Sequence, residues 1–256
     1  MMSNTLQFTN EIQYFWILLV FITIMATLYS SVGHGGASGY LAIMTIWGLS
    51  PTEMRPAALT MNIAVTCWLL HRVKAIRILW NPLFWPIAVT STPFALIGGF
   101  IEIHSTLYNS ILALVLLFSA WKLQSRAGKP AIQINIPNRK VLMLVGAILG
   151  FLAGLTGIGG GIFLSPLLIL FSWCTIRDST SIVAGVILLN TIAGLTGYFL
   201  GDGQWQIGSG WLVLAAIVGS FLGSELAHSR ASSSMLHKLL ALVLMVASIK
   251  LLVGVV

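Results

Sequence analysis

Gly154-Leu155-Thr156-Gly157-Ile158-Gly159-Gly160-Gly161-Ile162-Phe163-Leu164-Ser165-Pro166 lies inside an apolar run long enough to sit in a membrane, yet it carries five glycines and a proline. A glycine in a helix interior costs about 1 kcal/mol and a proline about 3, so the stretch predicts a broken helix through 156–161. Hydrocarbon tolerates broken backbone only where protein or a water-filled cavity covers it, which marks the stretch as a candidate binding site or pore. It has a twin. Gly33-His34-Gly35-Gly36 aligns with Gly157-Ile158-Gly159-Gly160, 124 residues further on.

Composition sets the class. Of the 256 residues 57% are hydrophobic and 7% charged, against about 25% charged in a soluble domain. This is an integral membrane protein, and its ionised residues cluster in short stretches, as exclusion from hydrocarbon requires. The formal charge of +7 then reflects cytoplasmic loops obeying the positive-inside rule, and nucleic acid is not an expected partner. Cys67 and Cys174 fit no metal or redox spacing and are expected as small core residues. The first thirteen residues contain Glu11 and no Lys or Arg, so no basic region of a cleavable signal peptide is read there.

Apolar segments are expected at 14–31, 37–49, 52–72, 84–101 and 106–123, then again at 139–156, 161–174, 179–200, 207–228 and 235–256. The chain thus divides into a first membrane repeat (1–124), a connector (125–138) and a second repeat (139–256). Asn62 and Asn190 correspond at a spacing of 128, as do Lys122 and Lys250. The four-residue growth over the glycine spacing is about one helical turn, which keeps the asparagines on nearly the same face. Loop charge orients the halves. His71, Arg72, Lys74 and Arg77 place 72–77 in the cytoplasm, and the basic connector joins them. Loop 102–105 has no Lys or Arg and is external. In the second half 201–206 carries only Asp202 and is external, whereas 228–238 carries Arg230 and Lys238. The expected fold is an all-α polytopic membrane protein with about 8–10 membrane segments. Its two repeats are inverted, and each opens with a glycine-broken hairpin that enters and leaves on one side. Both chain ends are then external.

The segments after the breaks are too short to span at about 1.5 Å per residue. If the hairpin tips reach the bilayer centre, both short helices begin there with unpaired N–H groups and the positive end of the helix dipole, which suits an anion. Inverted-repeat transporters bind substrate at such junctions. The alternative is close small-xxx-small helix packing, which consecutive glycines serve poorly. The candidate substrate-binding residues are Gly33, His34, Gly35, Gly36, Asn62, Gly157, Gly159, Gly160, Gly161 and Asn190. Asn62 and Asn190 either orient a ligand or bridge helices; Thr60 and Thr66 nearby are expected to bond back to their own helix. His34 puts a titratable group where the second repeat has Ile158, so binding is expected to tighten as pH falls through the range in which histidine titrates. No Lys or Arg falls near the middle of a segment, so the backbone is expected to supply the positive potential. Glu53, Arg55, Arg177 and Asp178 follow the short segments in matching places, as an interface pair or part of a gate. Gly36-Ala37-Ser38-Gly39 is similar to the Gly-x-Ser-Gly of intramembrane serine proteases, but a serine nucleophile needs a base within reach, and the other histidines lie at segment ends.

Taken together, the twin glycine clusters, Pro166 just after the second and the two-half plan resemble the TauE/SafE family of sulfite exporters, also called the toluene-sulfonate uptake permease superfamily. The likeness covers essentially the whole chain and is strongest over 150–168. The first half departs from the pattern, with His34 and Ala37 where an apolar residue and a glycine are more usual. The resemblance implies a bacterial inner-membrane secondary transporter, without enzymatic activity or cofactor. Its substrates would be small sulfur-containing anions such as sulfite, sulfonates or sulfoacetate, moved with protons as coupling ion. A passive anion channel shares every motif named. An intramembrane serine hydrolase using Ser38 and a structural membrane subunit fit less well, and a homo-oligomer stays open.

Overall fold

A computed structural model describes residues 2–31, 35–72, 75–124, 134–205, 209–226 and 233–253, and no strand occurs among them. Two hairpins carry the breaks. The first joins α1 (Met2–Ser31) to α2 (Ala37–Trp47), and the second joins α6 (Arg139–Thr156) to α7 (Gly161–Leu170). Each is followed by a long helix, α3 (Pro51–Arg72) or α8 (Ile176–Leu200). A 3-10 turn (Ala75–Trp80) leads to α4 (Phe84–Phe100) and α5 (Ser105–Gln124), and α9 (Ser209–Leu226) and α10 (Ser233–Val253) close the chain. Tyr14–Ser31, Arg139–Thr156 and Asp178–Leu200 are long and apolar enough to cross a membrane. Large apolar side chains such as Val20, Leu114, Leu144, Leu214 and Val246 stand exposed on the outer faces, as lipid contact requires.

Local chemistry fixes the helix starts. Ser50 precedes α3, and its N–H donates to Glu53 Oε2 at 2.7 Å, with Pro51 in the first helical position, where its missing N–H costs nothing. Thr175 precedes α8 and accepts from the Asp178 N–H at 3.1 Å. Glu53 and Asp178 therefore stand at the third position of two capped helix starts, each pair making one of the two bonds of a capping box, which accounts for their matched positions.

Each half-helix turns back along the helix before it. Gly39 of α2 lies against Tyr29 and Met25 of α1, while Trp47 further along α2 packs 6.0 Å from Phe21; the rising number on one helix meets the falling number on the other. In the second hairpin the Asn135 N–H, just before α6, donates to the Ser172 carbonyl just after α7 at 2.9 Å. Both hairpins therefore return to the side they came from.

Glycines set the helix spacing elsewhere. Gly146, Gly150 and Gly154, one turn apart on α6, lie against backbone of Ile87, Ser91 and Ala95 on α4. Gly219 and Gly223 of α9 lie in the same way against the Thr23 and Thr27 carbonyls of α1. This is the close small-xxx-small packing that lipid-embedded helices use. Gly154 belongs to this interface and not to the break. Two apolar cores result. One draws on α1, α2, α3, α5, α9 and α10, around Ile22, Tyr40, Met44, Met61, Leu112 and Leu244. The other draws on α4, α6, α7, α8 and the 3-10 turn, around Ile87, Leu149, Leu168 and Val186.

Cys174, in the connection after α7, is buried in the second core as expected, whereas Cys67 is exposed on the outside of α3, which corrects its reading as a core residue. Burial, aided by Asp178, pushes the Cys174 thiol up to about 11. In a Cys67→Ser background, maleimide labelling should be slow at pH 8 and accelerate about tenfold per pH unit as the thiolate forms. Gly154→Ala would drive a methyl into the Ala95 carbonyl and should destabilise the protein by about 1–3 kcal/mol, read as a lower melting temperature. Gly210→Ala, where nothing stands within 4 Å of the new methyl, should leave it unchanged.

Candidate functional site

The second break occupies 157–160. Gly157, Gly159 and Gly160 have φ of +80°, +78° and +82°, the left-handed region that side chains avoid. The chain thus leaves α6, reverses, and starts α7 with Gly160 as its N-cap. At the first break Gly36 caps α2, and its carbonyl accepts the Tyr40 N–H at 2.9 Å. The half-helices are 10 and 11 residues long, and in each the first N–H groups have no partner within the helix.

Asn62 joins the two breaks. It is fully buried on α3, and its Nδ2 donates to the Ile158 carbonyl at 3.2 Å. A side chain at Gly35 would come within 3.0 Å of its Oδ1, and one at Gly159 within 2.7 Å of its Nδ2. Glycine is needed at both places for backbone to reach the carboxamide. Asn190, equally buried on α8, approaches the second break only, with Nδ2 3.5 Å from the Cβ position of Gly160. Gly161 begins α7 against Ile187 of α8. Gly33 and His34 lie outside the described residues. Thr60 and Thr66 bond back to the carbonyls of Pro56 and Asn62, at 2.8 and 2.6 Å, as expected.

Between the half-helix N-termini lies a cavity of about 10 Å³, near the lower limit for a single water. Gly35 and Ser38 border it from the first hairpin, and Gly161 and Ile162 from the second. Ile158, of the first core, and Ile187, of the second, complete its walls, so it lies on the seam between the cores. At the breaks, behind the residues that line the cavity, are buried polar atoms with no partner among the described residues: Asn62 Oδ1, both carboxamide atoms of Asn190, and the Tyr40 hydroxyl, which lies against Gly36; Asn109 Oδ1 and Ser179 Oγ share that state away from the breaks. A buried polar group left unpaired costs about 1–3 kcal/mol. Four of the six such atoms lie at the breaks.

Arg55 is a buried cation, 5% exposed, and its side chain borders Gly157. Its guanidinium donates to the carbonyls of Gly98, Gly99 and Ile101 at the end of α4 and to Gly154 on α6, over 2.5–3.2 Å. The Tyr198 ring lies 5.6 Å away. The sequence placed Arg55 near a segment end but gave no sign that two helix C-termini converge on it. Nearby, Tyr198 donates to the Thr52 carbonyl at 3.1 Å and Tyr108 to that of Thr156 at 2.9 Å. At the other end of α3, Arg72 meets Glu225 at 2.9 Å and also holds Ser224.

The sulfite exporter TauE/SafE family matches residues 17–251. The chain belongs to that family. A probable membrane transporter protein of Sinorhizobium fredii, y4hK, is 31% identical over 240 residues, 92% of this chain and 97% of that protein. Probable membrane transporter proteins of Methanocaldococcus jannaschii and Bacillus subtilis are 28% and 30% identical over 124 and 115 residues. These matches cover 47% and 44% of this chain, and 46% and 44% of theirs. No solved structure matches. As a TauE/SafE member the chain is a multi-pass membrane transporter and not an enzyme, which removes the hydrolase reading of Ser38. Its hydroxyl is instead paired with that of Tyr29 at 2.8 Å.

Arg55→Met would leave four buried carbonyls without their donor and should destabilise the detergent-solubilised protein by roughly 3–5 kcal/mol. Arg55→Lys, with a point charge in place of the fork, should fall between. Thermal melts of the three proteins check the order.

Proposed function

We propose that this transporter exports small sulfur-containing anions, such as sulfite, sulfonates or sulfoacetate, across the bacterial inner membrane in exchange with protons. The observation that carries the reading is the convergence of two half-helix N-termini on one small cavity, with unpartnered buried carboxamides at the breaks beside it. N-terminal amides and the helix dipole favour negative charge, and the site offers weak binding that also permits release. The family's name points to sulfite.

The packing supports an inverted repeat. α4 packs on α6 and α9 on α1, while α5 packs on α10 and α3 on α8; these are the exchanges that a two-fold relating the halves would produce. The loop ends agree with the charge pattern. The end of α4, the end of α8 and the start of α3 meet around Arg55 and Tyr198 on one side, the proposed external one. The ends of α3 and α9 meet through Arg72 and Glu225 on the other. A cavity of about 10 Å³ does not admit a four-atom anion, so the two cores must part along their seam for substrate to pass. His34 is the proposed proton-linked group at the first break, and Asn62 and Asn190 orient the anion.

Proteoliposomes loaded with unlabelled sulfite should show saturable, trans-accelerated uptake of labelled sulfite. Asn62→Leu and Asn190→Leu, inserting normally, should each lower it by roughly tenfold or more. Linear flux without trans-acceleration would favour the passive channel instead. Unaltered exchange in both variants would remove the asparagines from the site.

A further inference from the structure

The cavity has two bordering hydroxyls whose pairing no motif predicted. Tyr29, in the last turn of α1, and Ser38, in the first turn of α2, face each other across the first break, with their oxygens 2.8 Å apart. They are 3% and 2% exposed, and both line the cavity together with Gly35 and Gly161. Two hydroxyls bring two O–H protons, and their mutual bond uses one. The second has no acceptor among the described side chains and backbone, and the space both groups share is the cavity between the half-helix N-termini. A phenol is the stronger acid, so the natural polarity has Tyr29 donating to Ser38 Oγ, with the Ser38 proton turned to the cavity. Ser38 is the second residue of α2, which sets that proton beside the free backbone N–H groups of the same helix end. Accepting from Tyr29 also strengthens Ser38 as a donor, because linked hydrogen bonds polarise one another.

We propose that the Tyr29–Ser38 pair is a substrate-binding element, donating its spare O–H to the anion held between the two half-helices. The inference rests on the reading above that the cavity takes an anion. Because either hydroxyl alone keeps one proton to offer, the pair is mutually redundant. Its removal in one step therefore does more than the two separate removals combined.

The test is calorimetric titration of sulfite and of methanesulfonate into the full chain in nanodiscs, for the parent, Tyr29→Phe, Ser38→Ala and the double variant, with melting temperatures taken without ligand. Each single variant should weaken binding roughly threefold and the double on the order of thirtyfold, more than the product of the singles. Parental affinity in all three variants, with or without a lower melting temperature, overturns the inference. The pair would then be only a bridge between α1 and α2, and the anion reading would stand. If the double variant does not fold, unchanged affinity in both single variants overturns the inference equally. If the parent itself binds neither anion, the anion reading fails and takes this inference with it.

Discussion

An unpaired backbone group has no water to turn to inside hydrocarbon, and two broken helices create many such groups at once. The fold is arranged around that constraint. At the carbonyl ends, cations do the work: Arg55 collects the last carbonyls of α4 and one from α6, and Lys250 Nζ donates to Thr45 and Ile46 at the end of α2, both at 2.7 Å. At the amide ends no side chain is supplied in the same way. Glycine caps both half-helices and leaves their N–H groups turned toward a shared space. The asymmetry is chemically consistent. Negative helix ends are neutralised by permanent protein charges, while the positive ends carry no side-chain cap among the described residues, as the proposed anion site requires.

Two kinds of glycine serve this arrangement. Those at 157, 159 and 160 permit a backbone path that other residues would strain. Those at 146, 150 and 154, and at 219 and 223, remove bulk so that neighbouring helices touch backbone to backbone. The first kind makes the site, and the second makes the rigid pairs that surround it. Because each rigid pair joins a helix of one half to a helix of the other, neither half of the chain is an independent body. The seam runs between two mixed cores, and the cavity is placed on it.

Much of this was legible beforehand. The end of α6 at Thr156 and the start of α7 at Gly161 followed from glycine's cost in a helix, and the short second arms followed from their length. Asn62 was singled out because a carboxamide in mid-membrane needs a reason. What escaped notice depends on contacts far apart in the chain. Arg55 meets Gly98, Gly99 and Gly154, and no periodicity connects those positions. Tyr29 and Ser38 meet only because the chain folds back at a break, where helical spacing no longer says which side chains face each other. Cys67 was assigned to the core on hydrophobicity, which in a membrane protein does not separate inward from lipid-facing positions. Glu53 and Asp178, read as possible gate residues, are explained by the helix starts beside them.

The hydrogen-bond partners of Arg55 among the described residues are all carbonyls, and carbonyls do not titrate. A guanidinium held by carboxylates would loosen in acid; this one keeps its partners across the physiological range. The hydrogen bonds that hold the joint between α3 and the ends of α4 and α6 therefore do not themselves switch with protonation.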